Sequence, residues 1–400
     1  MRLLHTSDWH LGRNFHGASL LDEQGEALDR IVELAREARV DLVVIAGDLY
    51  DRAIPPAEAV TLFNDTLARL RRAGIAVVAI AGNHDSHVRV SVYDQLLSDL
   101  GVTIRGSVSR AAEPVLVQPA GGGAPVAVYP LPYLEPVVDG PRLLSFLQEI
   151  ADSEGPVAVP ERFNHELTTR LALDAIRRDL RRRPDTRSVL VAHSFVAGGL
   201  SCESERELSV GQVDRVSVEA FSGFDYVALG HLHGSQQLDG PRVAYSGTPL
   251  PYSFSEERHR KSVRIVELAA DGTASVEVVP LDVGLRLRTI QGPLASLLSD
   301  PQHEAARQER VRAILTDPSL PSQAMARLRE RFPHAVELRH QPPEVDRSSG
   351  ADRSQRIRGA RSPLELAGLF FADQKGEPAS DAELDLLRQA LAWAARGGER

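Results

Sequence analysis

Five apolar runs in this chain end in polar residues of one chemical kind, and that repetition limits the folds open to it. Leu3-Leu4 runs into His5-Thr-Ser-Asp8-Trp-His10, and Leu42–Ala46 into Gly47-Asp48. Ile75–Ala81 runs into Gly82-Asn83-His84-Asp85, Val189–Ala192 into His193, and Tyr226–Leu229 into Gly230-His231-Leu-His233. The second run is continuous and β-branched, which suits a strand covered on both faces. A carboxylate just past the carboxyl end of such a strand stands where open α/β sheets bind ligands. Between the early runs, Glu23–Arg39 places Leu28, Ile31, Val32, Leu34 and Ala35 on one helical face. Ala57–Arg72 does the same with Val60, Phe63, Leu67 and Leu70. This alternation predicts an α/β architecture.

Further along, Val126–Pro132 predicts a strand, Arg142–Ala151 and Leu167–Arg183 predict helices, and Val243–Pro249, Ser262–Leu268 and Ser275–Val279 predict closing strands. A first domain over 1–280 follows. Arg286–Gln291, Val311–Leu315 and Ala335–Arg339 read as strands, and Leu294–Leu298 and Ser322–Phe332 as helices, giving a small α+β domain over 281–340. Residues 341–362 are Pro-, Ser-, Gly- and Arg-rich without periodicity, the signature of a flexible linker. The segment 363–400 holds two amphipathic stretches, Pro363–Phe371 and Ser380–Trp393, with Leu384, Leu387 and Leu391 in a stripe. It reads either as a docking segment for a partner or as a pair folded back on its own chain.

Composition removes several alternatives. The single cysteine, Cys202, excludes a disulfide framework and a thiolate zinc cluster. No apolar run approaches roughly 18 residues, and the chain opens directly on a strand, so neither a membrane span nor a signal peptide is expected and the cytoplasm is the expected compartment. The net charge of −9 argues against a generic polyanion binder, although bound cations would invert the local field. Lys261 and Lys375 are the two lysines; arginine carries the remaining positive charge.

Asp8, His10, Asp48, Asn83, His193, His231 and His233 therefore form a candidate cluster of carboxylate, imidazole and amide. That donor set suits Mn²⁺, Mg²⁺ or Fe²⁺ better than structural zinc. Asp8/His10 and His231/His233 are spaced i, i+2, which in extended chain points both side chains the same way. Seven donors exceed the usual six of one ion. A shared carboxylate, Asp48, would let two ions sit roughly 3.5–4 Å apart, the arrangement for in-line attack on phosphorus.

Asp8-Trp-His10, Gly47-Asp48-Leu-Tyr-Asp51-Arg52, Gly82-Asn-His84-Asp85, His193 and Gly230-His231-Leu-His233 resemble the five motifs of calcineurin-like metallophosphoesterases. The wider text is similar to the SbcD family of bacterial nuclease subunits, relatives of the eukaryotic double-strand-break repair nuclease. It includes His193-Ser-Phe-Val-Ala-Gly-Gly, Glu203-Ser-Glu-Arg-Glu-Leu-Ser-Val-Gly and Tyr245-Ser-Gly-Thr-Pro-Leu-Pro-Tyr-Ser-Phe. The resemblance is strong to about Pro280, looser in the next unit, and returns weakly at Ser362-Pro-Leu-Glu-Leu.

It implies a four-layer αββα sandwich with a small α+β capping domain and C-terminal helices that bind the SbcC ATPase. It implies two divalent ions, Mn²⁺ above all. Asp8, His10, Asp48 and His233 would hold one, and Asp48, Asn83, His193 and His231 the other. His84 would contact the scissile phosphate or protonate the leaving oxygen. Asp51 would hydrogen-bond His84, Arg52 would meet phosphate, and Asp85 would brace the turn that presents His84. His5 is expected buried, and His16 and His87 in loops.

The implied function is a DNA nuclease, exonucleolytic on duplex ends and endonucleolytic on hairpins or single strands, acting with SbcC in repair, recombination and replication. It would be a homodimer, seamed through Ala57–Arg72 or Val90–Leu100. Arg347, Arg353, Arg356, Arg358 and Arg361 in the linker would add contacts to DNA. Gly47-Asp-x-x-Asp-Arg52 is equally a phosphatase motif, so a small-molecule or protein phosphatase stays open, as does a non-catalytic scaffold for an ATPase.

Overall fold

The computed structural model describes residues 1–149, 160–205, 215–343, 362–375 and 378–397. Two compact units emerge, Met1–Leu287 and Arg288–Arg400.

In the first unit, β1 (Arg2–Thr6) is followed by a small hairpin, β2 (Asn14–Phe15) and β3 (Ala18–Ser19), and by helix α1 (Leu21–Glu37). Then come β4 (Leu42–Ile45), α2 (Ala57–Arg72), β5 (Ala76–Ile80), the short helices α3 (His87–Val90) and α4 (Asp94–Ser98), and β6 (Val102–Arg105). The chain continues through β7 (Val115–Val117), β8 (Val126–Leu131), α5 (Pro136–Glu149), α6 (His165–Arg181), β9 (Ser188–His193) and β10 (Tyr226–Gly230). It closes with β11 (Gln236–Asp239), β12 (Val243–Tyr245), β13 (Ser262–Leu268) and β14 (Ala274–Pro280).

One sheet has the order β14-β13-β1-β4-β5-β6, the other β11-β12-β10-β9-β8-β7. The centre of each is parallel: β1, β4, β5 and β6 in the first, and β8, β9, β10 and β12 in the second. Parallel pairing gathers the carboxyl ends of these strands along one edge of each sheet.

Three apolar layers account for the sandwich. Leu42, Val44, Val78 and Ile80 of the first sheet meet Val126, Val128, Val191 and Ala228 of the second. The outer face of the first sheet packs under Leu28, Ile31, Phe63 and Leu67 of α1 and α2. The outer face of the second packs under Leu143, Leu147, Ala172 and Ile176 of α5 and α6. Both central strands are thus covered on both faces, which is why they read as unbroken apolar runs. The order helix, sheet, sheet, helix is the four-layer αββα sandwich. His5 is buried between the sheets, within 2.9 Å of the Tyr226 hydroxyl and 3.1 Å of the Leu229 carbonyl, so each ring nitrogen has a partner.

Several boundaries differ from expectation. The helix expected from Arg142 begins at Pro136, with Pro141 inside it. His87 opens the short helix α3 instead of lying in a loop, whereas His16 sits in a turn with φ of +48°.

The second unit contains a three-stranded sheet, β15 (Leu287–Gly292), β16 (Arg310–Leu315) and β17 (Ala335–His340), with β16 in the middle. Helices α7 (Leu294–Ser299) and α8 (Ala324–Arg331) bring Leu294, Leu297 and Leu328 against Ile290, Val311 and Ala313. Two longer helices follow, α9 (Pro363–Lys375) and α10 (Asp381–Gly397). Ser380 and Glu383 form a reciprocal cap at the start of α10: the Ser380 amide donates to the Glu383 carboxylate at 2.8 Å and the Glu383 amide to Ser380 Oγ at 3.4 Å. The expected linker, including its five arginines, lies almost wholly outside the described residues.

Candidate metal centre

All seven residues of the candidate cluster stand at or just past parallel strand ends of the first unit. Asp8 and His10 follow β1, Asp48 follows β4, Asn83 follows β5, His193 ends β9, and His231 and His233 follow β10. The two i, i+2 pairs converge, but not through extended chain. Asp8, His10 and Asp48 have φ of +54°, +44° and +48°, and His231 has φ of +108°. Left-handed backbone at non-glycine residues costs about 1–3 kcal/mol each and concentrates at functional sites. Here it turns the chain back over the strand ends. The loops are interlocked by main-chain bonds from Asp8 N to Gly47 O and from His10 N to Asp48 O, both 3.0 Å. Gly82 lets two loops touch: a Cβ there would lie 2.1 Å from Asp48 Oδ1.

The donor atoms face one another. His10 Nε2 lies 3.2 Å from His233 Nε2. Asn83 Oδ1 lies 2.9 Å from His193 Nε2 and 3.2 Å from His231 Nδ1. Asp48 Oδ2 stands 3.6 Å from His10 Nε2 and 3.6 Å from His193 Nε2, midway between the two groups. Two adjacent ligands at about 2.1 Å from one octahedral ion are themselves ~3.0 Å apart, so these separations suit cation ligation. Asp8, His10 and His233 form one compact group, and Asp8, Asp48 and His193 another. The Asn83 amide nitrogen is buried without a hydrogen-bond partner, consistent with a residue held for its oxygen.

The electrostatics agree. Burial, then the nearby Asp48 charge, pushes Asp8 well above the usual carboxylate range. Burial pushes Asp48 up to about 6, against the pull of His84. Burial also lowers the imidazoles: His193 and His233 to about 4, and His10 and His231 well below the ordinary value. Neutral imidazoles and carboxylates short of positive charge are what a divalent cation stabilises. The residues present therefore fit two such ions.

His84 projects beside this cluster, edge-on to His10 with ring centroids 4.7 Å apart. Its Nδ1 lies 2.9 Å from the main-chain carbonyl of Asp51. A carbonyl only accepts, so Nδ1 carries the proton. The expected bond from the Asp51 side chain is replaced by this main-chain one. The carboxylate turns instead to Arg13, at 3.2 Å, and lies 3.7 Å from His10 Nδ1. Arg52 is exposed. The guanidinium beside the cluster belongs to Arg13, which also donates to Ser204 O at 3.1 Å and stacks over Tyr252 at 5.0 Å. Asp85 does brace the turn, its carboxylate accepting from the amides of Leu49, Tyr50 and Gly82, each at 2.9 Å.

Sequence reasoning passed over Arg13, Ser204, Glu205, Glu256 and Lys261. Ser204 Oγ lies 2.6 Å from His233 Nδ1, and Glu205 accepts from the His233 amide at 2.7 Å. Ser204 and Glu205 fall inside the Glu203–Gly211 stretch that resembles the SbcD family, and Glu256 lies two residues past the Tyr245–Phe254 stretch. Arg13 carries no signal of its own.

A family profile described as calcineurin-like phosphoesterase matches residues 1–235, and one described as type 5 capsule protein repressor C-terminal domain matches 284–375. The SbcD subunit of the nuclease SbcCD from Bacillus subtilis (strain 168) is 35% identical over 289 residues, covering 71% of this chain and 70% of that protein. The protein of the same name from Escherichia coli (strain K12) is 32% identical over 305 residues, covering 74% and 72%. Among solved structures, TT1561 of Thermus thermophilus aligns at 14% identity and a TM-score of 0.40, over 70% of this chain and 98% of that one. A two-sheet sandwich with carboxylate, imidazole and amide donors at its strand ends defines a calcineurin-like phosphoesterase. Within that class, the chain belongs to the SbcD family of SbcCD nuclease subunits.

Proposed function

We propose that the chain is a two-metal DNA nuclease subunit, acting on duplex ends, hairpins and single strands together with an SbcC-type ATPase in DNA repair and recombination. The observation that carries this reading is the placement of Asp48 Oδ2 between two groups of donors, 3.6 Å from a histidine of each. Asp8, His10, Asp48 and His233 would hold one ion, and Asp48, Asn83, His193 and His231 the other. Mn²⁺ suits this mixture of oxygen and imidazole donors. When bound, such ions supply Lewis acidity toward the phosphoryl oxygens and acidify water.

The chain itself positions and moves a proton. With Nδ1–H committed to the Asp51 carbonyl, His84 exchanges its second proton at Nε2. It is a general acid when that nitrogen is protonated, donating to the departing oxygen of the phosphodiester. The Asp48 carboxylate accepts from the His84 amide at 2.9 Å, which ties this acid to the metal-holding loop.

The remaining surfaces fit a subunit of a larger assembly. Val92, Tyr93, Leu96 and Leu100, around α4, are all more than 60% exposed, whereas Phe63, Leu67 and Leu70 of α2 face their own core. This exposure supports Val90–Leu100 over Ala57–Arg72 as the homodimer seam. Phe370 and Trp393 on α9 and α10 are 63% and 80% exposed, which suits the ATPase-docking segment over 363–400, with 281–340 as the capping domain. A partner that grips DNA would explain how a chain of net charge −9 acts on a polyanion.

The test is cleavage of a hairpin-ended duplex with Mn²⁺, with and without the ATPase, by wild type and His84→Gln. The expected result is at least a ~100-fold loss in the variant with Mn²⁺ binding retained. Equal cutting by both would remove His84 from the mechanism. Absence of DNA cleavage beside brisk hydrolysis of a small phosphate ester would favour the phosphatase reading instead.

A further inference from the structure

His233 is backed by a buried hydrogen-bond chain that the two-metal reading does not use. Ser204 is 8% exposed and Glu256 1%. Ser204 Oγ lies 2.6 Å from His233 Nδ1 and donates to Glu256 Oε1 at 2.5 Å. Glu256 Oε1 also accepts from the Tyr252 amide at 3.0 Å, and its other oxygen pairs with the Lys261 ammonium. Lys261 in turn donates to the His233 carbonyl at 3.0 Å and to Thr248 Oγ1 at 2.6 Å.

Directions follow from proton counting. One Glu256 oxygen pairs with the Lys261 ammonium and the other accepts from the Tyr252 amide, the contacts of a carboxylate anion, which can only accept. It therefore takes the single hydroxyl proton of Ser204. Ser204 Oγ then offers a lone pair, and His233 Nδ1 must carry the hydrogen. His233 Nε2 is left unprotonated, and that is the nitrogen 3.2 Å from His10 Nε2 on the side of the cluster.

We propose that Ser204, Glu256 and Lys261 are positioning residues: their chain locks His233 as the Nδ1–H tautomer and presents its Nε2 lone pair to the cation site. The inference rests on the reading of His233 as a cation ligand. Partners of this kind fix ring orientation and typically change metal affinity 10- to 100-fold. The chain also gives a role to the Glu203-Ser-Glu stretch: its Ser204 joins the β10 loop to the turn before β13.

Two measurements test this. Nitrogen-15 NMR of the histidine rings in the metal-free full-length protein reads the tautomer, and calorimetric titration with Mn²⁺ alone reads affinity. Wild type is expected as Nδ1–H. Ser204→Ala is expected to shift His233 toward Nε2–H and to weaken one Mn²⁺ site about 10- to 100-fold, leaving the other within about threefold. Ser204→Thr, which keeps the hydroxyl, should restore both. Should Ser204→Ala fail to fold, Glu256→Gln serves: it keeps an oxygen acceptor but loses the charge, and the tautomers should mix. An Nε2–H wild type, or a variant with unchanged tautomer and affinity, overturns the proposal. A wild type that takes up no Mn²⁺ overturns the metal reading itself, while the metal-free spectrum decides the positioning claim separately.

Discussion

The two halves of the metal centre are held by different means. In the half that holds Asn83, His193 and His231, the contact that orients His193 is main chain. His193 Nδ1 lies 2.9 Å from the Ala46 carbonyl, and Gly47 and Gly230 bring the backbones so close that a Cβ would fall 2.2 Å from His193 Nδ1 and 1.7 Å from Ala46 O. Around His10 and His233 the support is side chain: Ser204, Glu256, Lys261, Arg13 and Asp51. A half set by strand register changes only if the fold changes. A half set by side chains can be tuned by single substitutions.

Asp48 belongs to both halves, so its loss is the largest effect. Asp48→Ala should lower DNA cleavage by at least ~1,000-fold, the upper range for removing one preorganised electrostatic contact. It should also abolish the rise in Tm on adding Mn²⁺. Wild-type affinity surviving at either half would show that the carboxylate is not shared.

Lys261→Met comes next. It leaves Glu256, fully buried, without its cation, which costs about 3–5 kcal/mol, read by urea unfolding of the metal-free protein. The counterpart in the other half is Ala46→Gly, which keeps the carbonyl that holds His193 and should cost only about 1 kcal/mol, with Mn²⁺ affinity unchanged. Equal sensitivity of the two would erase the distinction between main-chain and side-chain support.

The pH dependence of metal uptake falls on the two buried carboxylates, Asp8 and Asp48, both raised by burial. The Asp48 pKa in the folded protein, about 6, lies above the ordinary 3.8, so in the metal-free protein its contribution to stability is present at low pH and lost as pH rises through about 6. His193 and His233 run the other way. Lowered from 6.5 to about 4, they favour folding above 6.5 and lose that contribution as pH falls through about 4. At pH 6 the imidazoles are already neutral, and a cation must displace protons from the carboxylates. Calorimetry in buffers of different ionisation enthalpy should find protons released on Mn²⁺ binding at pH 6 and fewer at pH 8, with affinity rising between. Affinity flat from pH 5.5 to 8 would remove both carboxylates from the site.

The same contrast explains what the sequence revealed. The main-chain half was legible because its determinants are local: an apolar run, a glycine, then a donor, three times over at Gly47-Asp48, Gly82-Asn83 and Gly230-His231. The side-chain half was half hidden. His10 and His233 announced themselves by spacing, but Ser204 and Glu256 come from segments far apart in sequence, and nothing local marks a serine as the acceptor of an imidazole proton. The i, i+2 spacing was seen for a reason that does not hold, since left-handed backbone, not extension, turns the pairs inward. Among the strands, β6, β7, β11 and the β2–β3 hairpin went unseen. The first three are edge strands, and Gln-Gln-Leu-Asp in β11 offers one apolar residue and no alternation.

Asp51 gives the smallest effect and the finest test. A carboxylate next to a proposed general acid invites the expectation that it orients the acid, but the partner of His84 is the Asp51 carbonyl, which no side-chain change removes. Asp51→Asn should therefore keep cleavage within about threefold of wild type. The Asp51–Arg13 pair is partly exposed, at 27% and 18%, so the stability cost should be no more than about 1 kcal/mol. A tenfold loss would mean that the carboxylate charge reaches His84 through His10 and Arg13. In that case side chains, not main chain, would hold the proton donor as well, and His84 would have to be grouped with the tunable half.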